Sequence, residues 1–245
     1  MNRFRAIWKR ELTAAFLSPV AYVAMVVFLG ATGLTFFTGA IRNEGRTDPL
    51  AVYLVGAAVI WLGLLIPVVT MRLFAEEKRS GTLESLMTAP VSEREVVLGK
   101  YAGALSFILI VALPAFAGAY ILARISPAMS WAAVDKGALL GGVVIFLLLA
   151  AFFTALGLVI SLTTSNQIIS ALCSLAAFWF GLLFGWFITV LPGGDLPIAH
   201  FLSATDQLDA FTRGLLDLRP IILFASGTVF FLFLAVRMLE SRRWR

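Results

Sequence analysis

The chain has 245 residues, of which 60% are apolar and 13% are charged, whereas a soluble domain is about 45–50% apolar and about 25% charged. Polar surface this scarce cannot cover a soluble core. The composition therefore excludes a single soluble domain, a disordered tail and a coiled coil, and it indicates a polytopic membrane protein. The net charge of +5 is modest, and in a membrane protein such a surplus sets topology more often than it binds nucleic acid.

The first predicted element is an amphipathic helix over residues 1–19. Phe4, Trp8, Leu12 and Ala15 share one face at helical spacing, and four basic residues lie among them in the sequence. A helix of this kind lies in the membrane interface beside anionic lipid. A basic tail that only sets the topology is the alternative.

Six apolar stretches follow, each close to the roughly 20 helical residues that a bilayer requires. They contain no Asp, Glu, Lys, Arg or His, and they lie at about 20–41, 50–71, 101–123, 137–162, 168–191 and 221–236. The sequence therefore predicts an all-α fold with six transmembrane helices. Because ion-coupled transporters usually carry ionisable residues at membrane depth, these spans argue against a secondary transporter.

Hydroxyl side chains form two mild polar stripes within these spans. Thr32, Thr35 and Thr38 follow one another at a spacing of three on the first span, and Ser170 and Ser174 lie at a spacing of four on the fifth. The stripes are candidates for the lining of a translocation pathway. The alternative is local, since Ser and Thr hydroxyls often bond back to their own helix.

The distribution of basic residues predicts that both termini are cytoplasmic. Thirteen of the 19 Lys and Arg residues lie in the two terminal segments and in region 72–100, which share one side of the membrane, and six lie on the other side. Region 72–100 is then cytoplasmic and loop 192–220 is external. Neither is long enough for a typical catalytic domain. No phosphate-binding G-x-x-x-x-G-K-[ST] motif occurs, so the chain is predicted to have no ATPase site of its own.

Region 72–100 contains two local helix signals. We expect the second span to continue as a helix to about Lys78 and to end near Gly81, because glycine is a common helix stop. Ser92 and Glu95 have the spacing of a capping box, which predicts the start of the helix that leads into the third span.

Between these signals the sequence predicts a short transverse helix over 82–88. Thr82 would cap it, Glu84 lies in its first turn, where the helix dipole favours an acid, and Pro90 would end it. One face carries three apolar residues: Leu83, Leu86 and Met87. Held between two rigid extensions, such a helix would pass a push into the membrane. A solvated loop lying on the bilayer is the alternative.

The outer loop 192–220 contains a second amphipathic pattern. Leu208, Phe211, Leu215 and Leu218 recur at helical spacing, which predicts a helix on or dipping into the outer leaflet. The chain has a single histidine, which lies in this loop, and a single cysteine in the fifth span. These give little support to a metal site or to Cys/His catalysis, and we predict neither a metal site nor a catalytic residue.

Several stretches of this sequence resemble one family. RLFAEEKRSGTLE at 72–84, TAPVS at 88–92 and LGKY at 98–101 resemble the coupling-helix region of ABC-2 type transporter permeases. They are most similar to the gliding-motility-associated and nitrous-oxide-reductase-maturation branch. KREL at 9–12, FTRGLLDLR at 211–219 and LESRRW at 239–244 are similar to the opening, the last outer loop and the tail of that family.

The resemblance implies that residues 1–245 form a single transmembrane domain that binds no cofactor. Two permease copies, identical or not, would pair with two separate ABC ATPase subunits, which bind ATP and Mg²⁺. The short helix would insert into a groove on the ATPase through its apolar face, while the charged residues before it contact the ATPase or brace the helix ends. The implied coupling residues are Glu76, Glu77, Lys78, Arg79, Gly81, Thr82, Leu83, Glu84, Leu86, Met87 and Pro90.

Glycine pairs at a spacing of four occur three times, and such pairs let helices approach closely. They are Gly99/Gly103, Gly137/Gly141 and Gly181/Gly185. The last pair is the candidate dimer contact, because the fifth span lies at the dimer interface in the family that the chain resembles. The other pairs are expected to serve packing within the chain.

The function that follows is that of a permease subunit in the bacterial inner membrane. It would convert ATP-driven closure of its partner into export or into mechanical work, with lipid around it and with an accessory membrane or periplasmic subunit as a possible further partner. Nucleic acid is not an expected partner. Two alternatives stay open: a non-transporting structural subunit of a membrane complex, and a secondary transporter or channel.

Overall fold

The computed structural model describes residues 3–42, 50–82, 91–125, 136–190 and 203–243. Within these ranges the regular secondary structure is entirely helical, which confirms the all-α prediction. The helices are α1 (Arg3–Leu17), α2 (Pro19–Arg42), α3 (Leu50–Thr70), α4 (Ala75–Ser80), α5 (Glu93–Ile125), α6 (Lys136–Thr163), α7 (Gln167–Val190), α8 (Ala204–Thr212) and α9 (Leu218–Arg243).

Six helical segments of the described residues are long and apolar enough to cross a membrane. They are α2, α3 with its continuation into α4, α5, α6, α7 and α9, so the prediction of six spans is confirmed. Helix α5 begins at Glu93, about two turns before the predicted third span. The charged residues at its start therefore belong to the same continuous helix as the span.

Helices α3 and α6 form the centre of the bundle. Both are apolar around most of their circumference, which is the pattern of a helix buried on all sides. Leu62 and Leu65 of α3 and Leu149 of α6 are fully buried in the same core. The two helices approach closely where Gly157 of α6 faces the side chain of Thr70, leaving no room for a Cβ atom.

A second core lies at the end of the bundle where the chain begins and where α9 ends, hereafter the basic end. It is built from α1, the turn before α4, the start of α5 and the ends of α6 and α9. Its buried members include Ile7, Phe74, Val97, Leu162 and Leu239. At the opposite end, Phe36, Leu54 and Ala57 form a smaller cluster.

Helix α1 packs closely against α5. A Cβ atom on Gly99 would come within 2.8 Å of Cγ2 of Ile7, and one on Gly103 within 2.6 Å of Cβ of Glu11. The first glycine pair therefore seats α1, as expected for packing within the chain. Trp8 also donates a hydrogen bond to Oγ of Ser106 at 3.1 Å.

Helix α8 is shorter than the amphipathic pattern of the outer loop predicts. It ends at Thr212, and Gly214 follows with a φ of 82°. The amide of Gly214 donates to the carbonyl of Phe211 and that of Leu215 to the carbonyl of Ala210, each at 3.0 Å. This is the hydrogen-bond pattern of a Schellman ending. Leu215 and Leu218 lie beyond α8, so the prediction that they extend its apolar face was wrong.

Candidate functional site

The sequence predicted that the second helix extends into region 72–100 and stops near Gly81. Helix α4 follows α3 after a turn at residues 71–74, and Gly81 ends α4 with a φ of 73°. Thr82 is the last residue described before a gap. Apart from Thr82, the predicted short helix 82–88 lies outside the described residues, and so does Pro90, which was predicted to end it. The coupling residues that fall there are Leu83, Glu84, Leu86, Met87 and Pro90.

The first turn of α4 is capped by a side chain from another helix. The residue at its N-cap position, Phe74, offers no side-chain cap. Instead, Oγ of the buried Ser161 on α6 accepts the amide hydrogens of Phe74 and Ala75, each at 3.1 Å. Unpaired amides at a helix start are costly when buried. Ser161 therefore stabilises the start of α4 and fixes it to α6.

Lys78 joins the other end of α4 to the same neighbour. Its Nζ donates to the carbonyl oxygen of Leu162 and, at 3.5 Å, to that of Thr164. Leu162 lies in the last turn of α6 and Thr164 directly follows that helix, at an end where the helix dipole favours a cation. Both ends of α4 are thus attached to the last turn of α6.

A buried ion cluster ties α4 to α1 and α5. Nζ of Lys100, which is 1% exposed, donates to Oε1 of Glu77 at 2.8 Å and to Oε1 of Glu11 at 3.0 Å. Arg10 donates to the same two oxygens, at 3.1 and 3.0 Å respectively. The Lys100 ammonium also lies 5.1 Å from the centre of the Phe74 ring. Lys100 of α5 therefore links α1 to α4 in this cluster.

Arg10 stays charged in this cluster. Burial alone would lower its pKa, but the hydrogen bonds and negative charge of Glu11 and Glu77 outweigh burial and raise the pKa above its usual value. The cluster therefore holds a permanent cation on its outer side and Lys100 on its buried side.

The charged residues assigned to coupling divide between two faces of α4. Glu77 and Lys78 point into the bundle, where they make the contacts given above. Glu76 and Arg79 are exposed, so they are available to a partner. The sequence grouped all four residues together, and the structure separates bracing residues from surface residues.

The capping box before α5 is formed as the spacing predicted. The amide of Glu95 donates to Oγ of Ser92 at 3.3 Å, and the amide of Ser92 donates to Oε2 of Glu95 at 3.0 Å. This reciprocal pair fixes the start of α5. Both helices that flank residues 83–90 therefore have defined ends at Gly81 and Ser92.

The threonines of the pathway stripe make local contacts. Oγ1 of Thr35 donates to the carbonyl of Ala31, and Oγ1 of Thr38 donates to that of Leu34, each within α2. Thr32 is fully buried. The local alternative accounts for the hydroxyls of Thr35 and Thr38, while a role in a pathway stays a prediction.

The serine stripe of α7 faces the protein interior. Ser170 and Ser174 are buried, and their hydroxyls have no hydrogen-bond partner among the described residues. Phe178, one turn further along the same face, packs against Phe153 of α6 with ring centroids 4.5 Å apart. The serines therefore lie on the face of α7 turned toward α3 and α6, and their pathway role also stays a prediction.

The glycine pair of α7 makes close approaches within the chain. A Cβ atom on Gly181 would lie 3.0 Å from the Phe153 ring, and one on Gly185 would overlap the side chain of Ser203. The opposite side of α7 exposes Phe180 and other apolar residues. A dimer contact through Gly181 and Gly185 stays a prediction, with the exposed side of α7 as the surface left for a second chain.

These features define a class of protein: a helical membrane subunit with six spans and a braced, charged helix at one end. Residues 7–238 match the family model described as "ABC-2 family transporter protein". The match covers nearly the whole chain, so the chain belongs to the ABC-2 transporter family. No curated protein matched the chain.

Membership of this family identifies the chain as a multi-pass permease subunit of an ABC transporter. Permeases of this family are transmembrane subunits without an ATPase site of their own, and membership implies that an ABC ATPase subunit is the partner. Within the described ranges, no group of three or more His, Cys, Asp or Glu residues could hold a metal ion.

Proposed function

We propose that this permease couples ATP binding and hydrolysis by a separate ABC ATPase to export or mechanical work across the bacterial inner membrane. ATP and Mg²⁺ would bind to the partner and not to this chain. The observation that carries the proposal is the bracing of α4, the segment that leads directly into residues 83–90. Glu77 and Lys78, together with the cap from Ser161, join it to α1, α5 and α6.

The bracing supports transmission of a displacement from this segment into the spans. Breaking a buried ion pair by separating one partner is strongly unfavourable. A push at residues 82–88 would therefore move α4 together with α1, α5 and the end of α6 rather than bend α4 alone. Glu76 and Arg79, which are exposed, would contact the ATPase beside the apolar face of the short helix.

The substitution Leu86→Asp tests this coupling. A carboxylate on the apolar face would be buried unpaired in the groove of the ATPase, so we expect loss of ATPase association with unchanged membrane insertion. Co-purification from membranes measures the association. Leu216→Asp is the matched control, because Leu216 is exposed at the opposite end, and this variant should keep the ATPase. Unchanged association of the Leu86→Asp variant would favour the structural-subunit alternative.

The orientation is tested by cysteine labelling in intact cells. Because Cys173 is an exposed free thiol, it is first replaced by serine. We expect single cysteines at Gly45 and Gly194 to react with an impermeant reagent from outside, and a cysteine at Ser80 to react only after the membrane is opened. Labelling of the Ser80 variant from outside would reverse the orientation and remove α4 from the side of the ATPase.

The assembly is proposed as a dimer of permeases with two ATPases. The similarity of region 72–101 to the gliding-motility and nitrous-oxide-reductase-maturation branch supports placing the chain there, with an accessory subunit as a further partner. Mass spectrometry of the proteins recovered by gentle affinity purification tests these points together. Recovery of a Walker-A ATPase near one-to-one supports the proposal, and recovery of none contradicts it.

A further inference from the structure

A cavity of about 360 Å³ lies at the basic end between α1, the start of α2, the end of α3 and α5. Ligand pockets in proteins are about 300–1,000 Å³ in volume. One part of its wall is apolar and includes Ala21, Val68, Val69 and Phe107. The other part is charged: Arg10, Glu11, Arg72, Glu76, Glu77 and Lys100.

The charged wall has no net charge, because it contains three cationic and three anionic side chains. Arg10 and Lys100 already pair with the carboxylates of Glu11 and Glu77. An anion alone would disturb this balance. A group that carries both a positive and a negative charge would preserve it.

Two residues that line this wall each carry a buried polar atom with no hydrogen-bond partner among the described residues. One is the donor Nε of Arg72, and the other is the acceptor Oε2 of Glu77. Other atoms of these side chains have partners, since Nη1 of Arg72 donates to Oγ of Ser18 and Oε1 of Glu77 accepts from Lys100. Buried polar atoms in proteins are almost always paired. A ligand with one acceptor and one donor would give both of these atoms a partner.

The cavity also reaches the surface of the first span. Val20 lines it and is 40% exposed on α2, a helix that is long and apolar enough to cross the membrane. A ligand whose polar part meets Arg72 and Glu77 can therefore place an apolar part against Val20, Val68 and Phe107. That combination is the chemistry of a membrane amphiphile rather than of a soluble zwitterion.

We propose that this cavity binds the headgroup of a zwitterionic phospholipid from the leaflet at the basic end. The phosphate accepts a hydrogen bond from Nε of Arg72, and the ammonium donates one to Oε2 of Glu77. An acyl chain follows the apolar wall toward Val20. The bound lipid completes the polar contacts between the turn at residues 71–74, α4 and α1.

Native mass spectrometry of the full-length chain, purified in mild detergent with its co-purifying partners, tests the proposal. The probe is an equimolar mixture of phosphatidylethanolamine and phosphatidylglycerol with identical acyl chains. We expect retention of phosphatidylethanolamine in preference to phosphatidylglycerol. The variants Arg72→Gln and Glu77→Gln each remove one contact to a charged group, so retention should fall about tenfold.

Two further variants separate the cavity from the general surface. Arg237→Gln changes an exposed cation at the same end that does not line the cavity, and its retention of lipid should equal that of the unmodified protein. Val68→Phe fills the cavity without changing a charge, and its retention should fall as far as that of Arg72→Gln. Thermal unfolding is measured for each variant, and where a charge variant does not fold, Val68→Phe decides.

Three results would overturn the proposal. The first is equal retention of the two lipids, or preference for phosphatidylglycerol. The second is undiminished phosphatidylethanolamine on folded Arg72→Gln or on Val68→Phe. The third is displacement of the lipid by glycerophosphoethanolamine at a similar concentration, because a headgroup without acyl chains would then be sufficient and the ligand would be a soluble one.

Discussion

At the basic end of the bundle, a buried ion cluster joins α1, α4 and α5 in addition to the packing of α1 on two glycines of α5, whereas at the opposite end close contacts of glycines hold α6 and α7 against residues 203–211. Lys100 joins α1, α4 and α5 through two carboxylates. At the opposite end, Gly141 of α6 lies against the carbonyl of Phe211, and Gly185 of α7 lies against Ser203. Because a buried ion pair is costly to break, the cluster ties the coupling segment to α1 and α5. The glycine contacts at the opposite end lie away from that segment.

The substitution Lys100→Met breaks the basic end and should have the largest effect. It leaves the carboxylates of Glu11 and Glu77 largely buried with Arg10 as their remaining cation, which we expect to cost about 3 kcal/mol in the free energy of unfolding. Unfolding by SDS in mixed micelles measures this. In the control Arg237→Met, an exposed pair with Glu240 is lost, at a cost of about 0–1 kcal/mol. Equal losses in the two variants would show that the buried cluster does not hold this end together.

The substitution Gly141→Ala breaks the opposite end and should have the second largest effect. Its methyl group would overlap the carbonyl oxygen of Phe211, and overpacking of this kind costs about 1–3 kcal/mol. Unfolding by SDS in mixed micelles measures this loss as well. Gly30→Ala is the matched control, since a Cβ there has no atom within 4 Å, and it should stabilise α2 by about 0.5–1 kcal/mol.

Recovery of the ATPase should distinguish these two variants. Gly141→Ala leaves the contacts of α4 untouched, so ATPase recovered per folded chain should not change. Lys100→Met should lower it, because α4 loses its link to α5. An equal loss of the ATPase in both variants would mean that the two ends do not differ in the way proposed.

Features that depend on nearby residues were the ones that the sequence predicted well. The six spans follow from the length of uninterrupted apolar stretches. The end of α4 at Gly81 and the capping box of Ser92 and Glu95 each depend on a few adjacent positions. The predicted amphipathic helix of the outer loop was too long, because Gly214 ends α8 with a turn that leucine spacing does not reveal.

The ion cluster was missed because its members are distant in sequence. Lys100 lies 89 positions from Glu11 and 23 from Glu77. It was counted as a basic loop residue, since the apolar stretch begins at Tyr101. One signal was present: a helix that begins after the capping box and continues into the span places Lys100 about two turns inside it. The sequence offered no signal for its partners.

Small residues predicted close approach but not the neighbour that makes it. The pair Gly181/Gly185 is the candidate dimer contact, which stays a prediction, and in the structure both residues lie close to other residues of their own chain. Two glycines at a spacing of four indicate only that one face of the helix allows a close neighbour. Which helix uses that face depends on the whole bundle, and for α7 the neighbours are Phe153 and Ser203.

The substitution Ser161→Ala should have the smallest effect on the free energy of unfolding, and it tests the start of α4 directly. It leaves the amides of Phe74 and Ala75 without their acceptor, at a cost of about 1–2 kcal/mol. Thr163→Ala is the control, because Thr163 is exposed and its hydroxyl donates to the carbonyl of Ile160 within α6. Hydrogen exchange should become roughly tenfold faster at the first turn of α4 and stay unchanged in α8, since 1.4 kcal/mol corresponds to about a factor of ten. Equally fast exchange at both ends would mean that opening is global, and α4 would then be no separate unit for the partner to push.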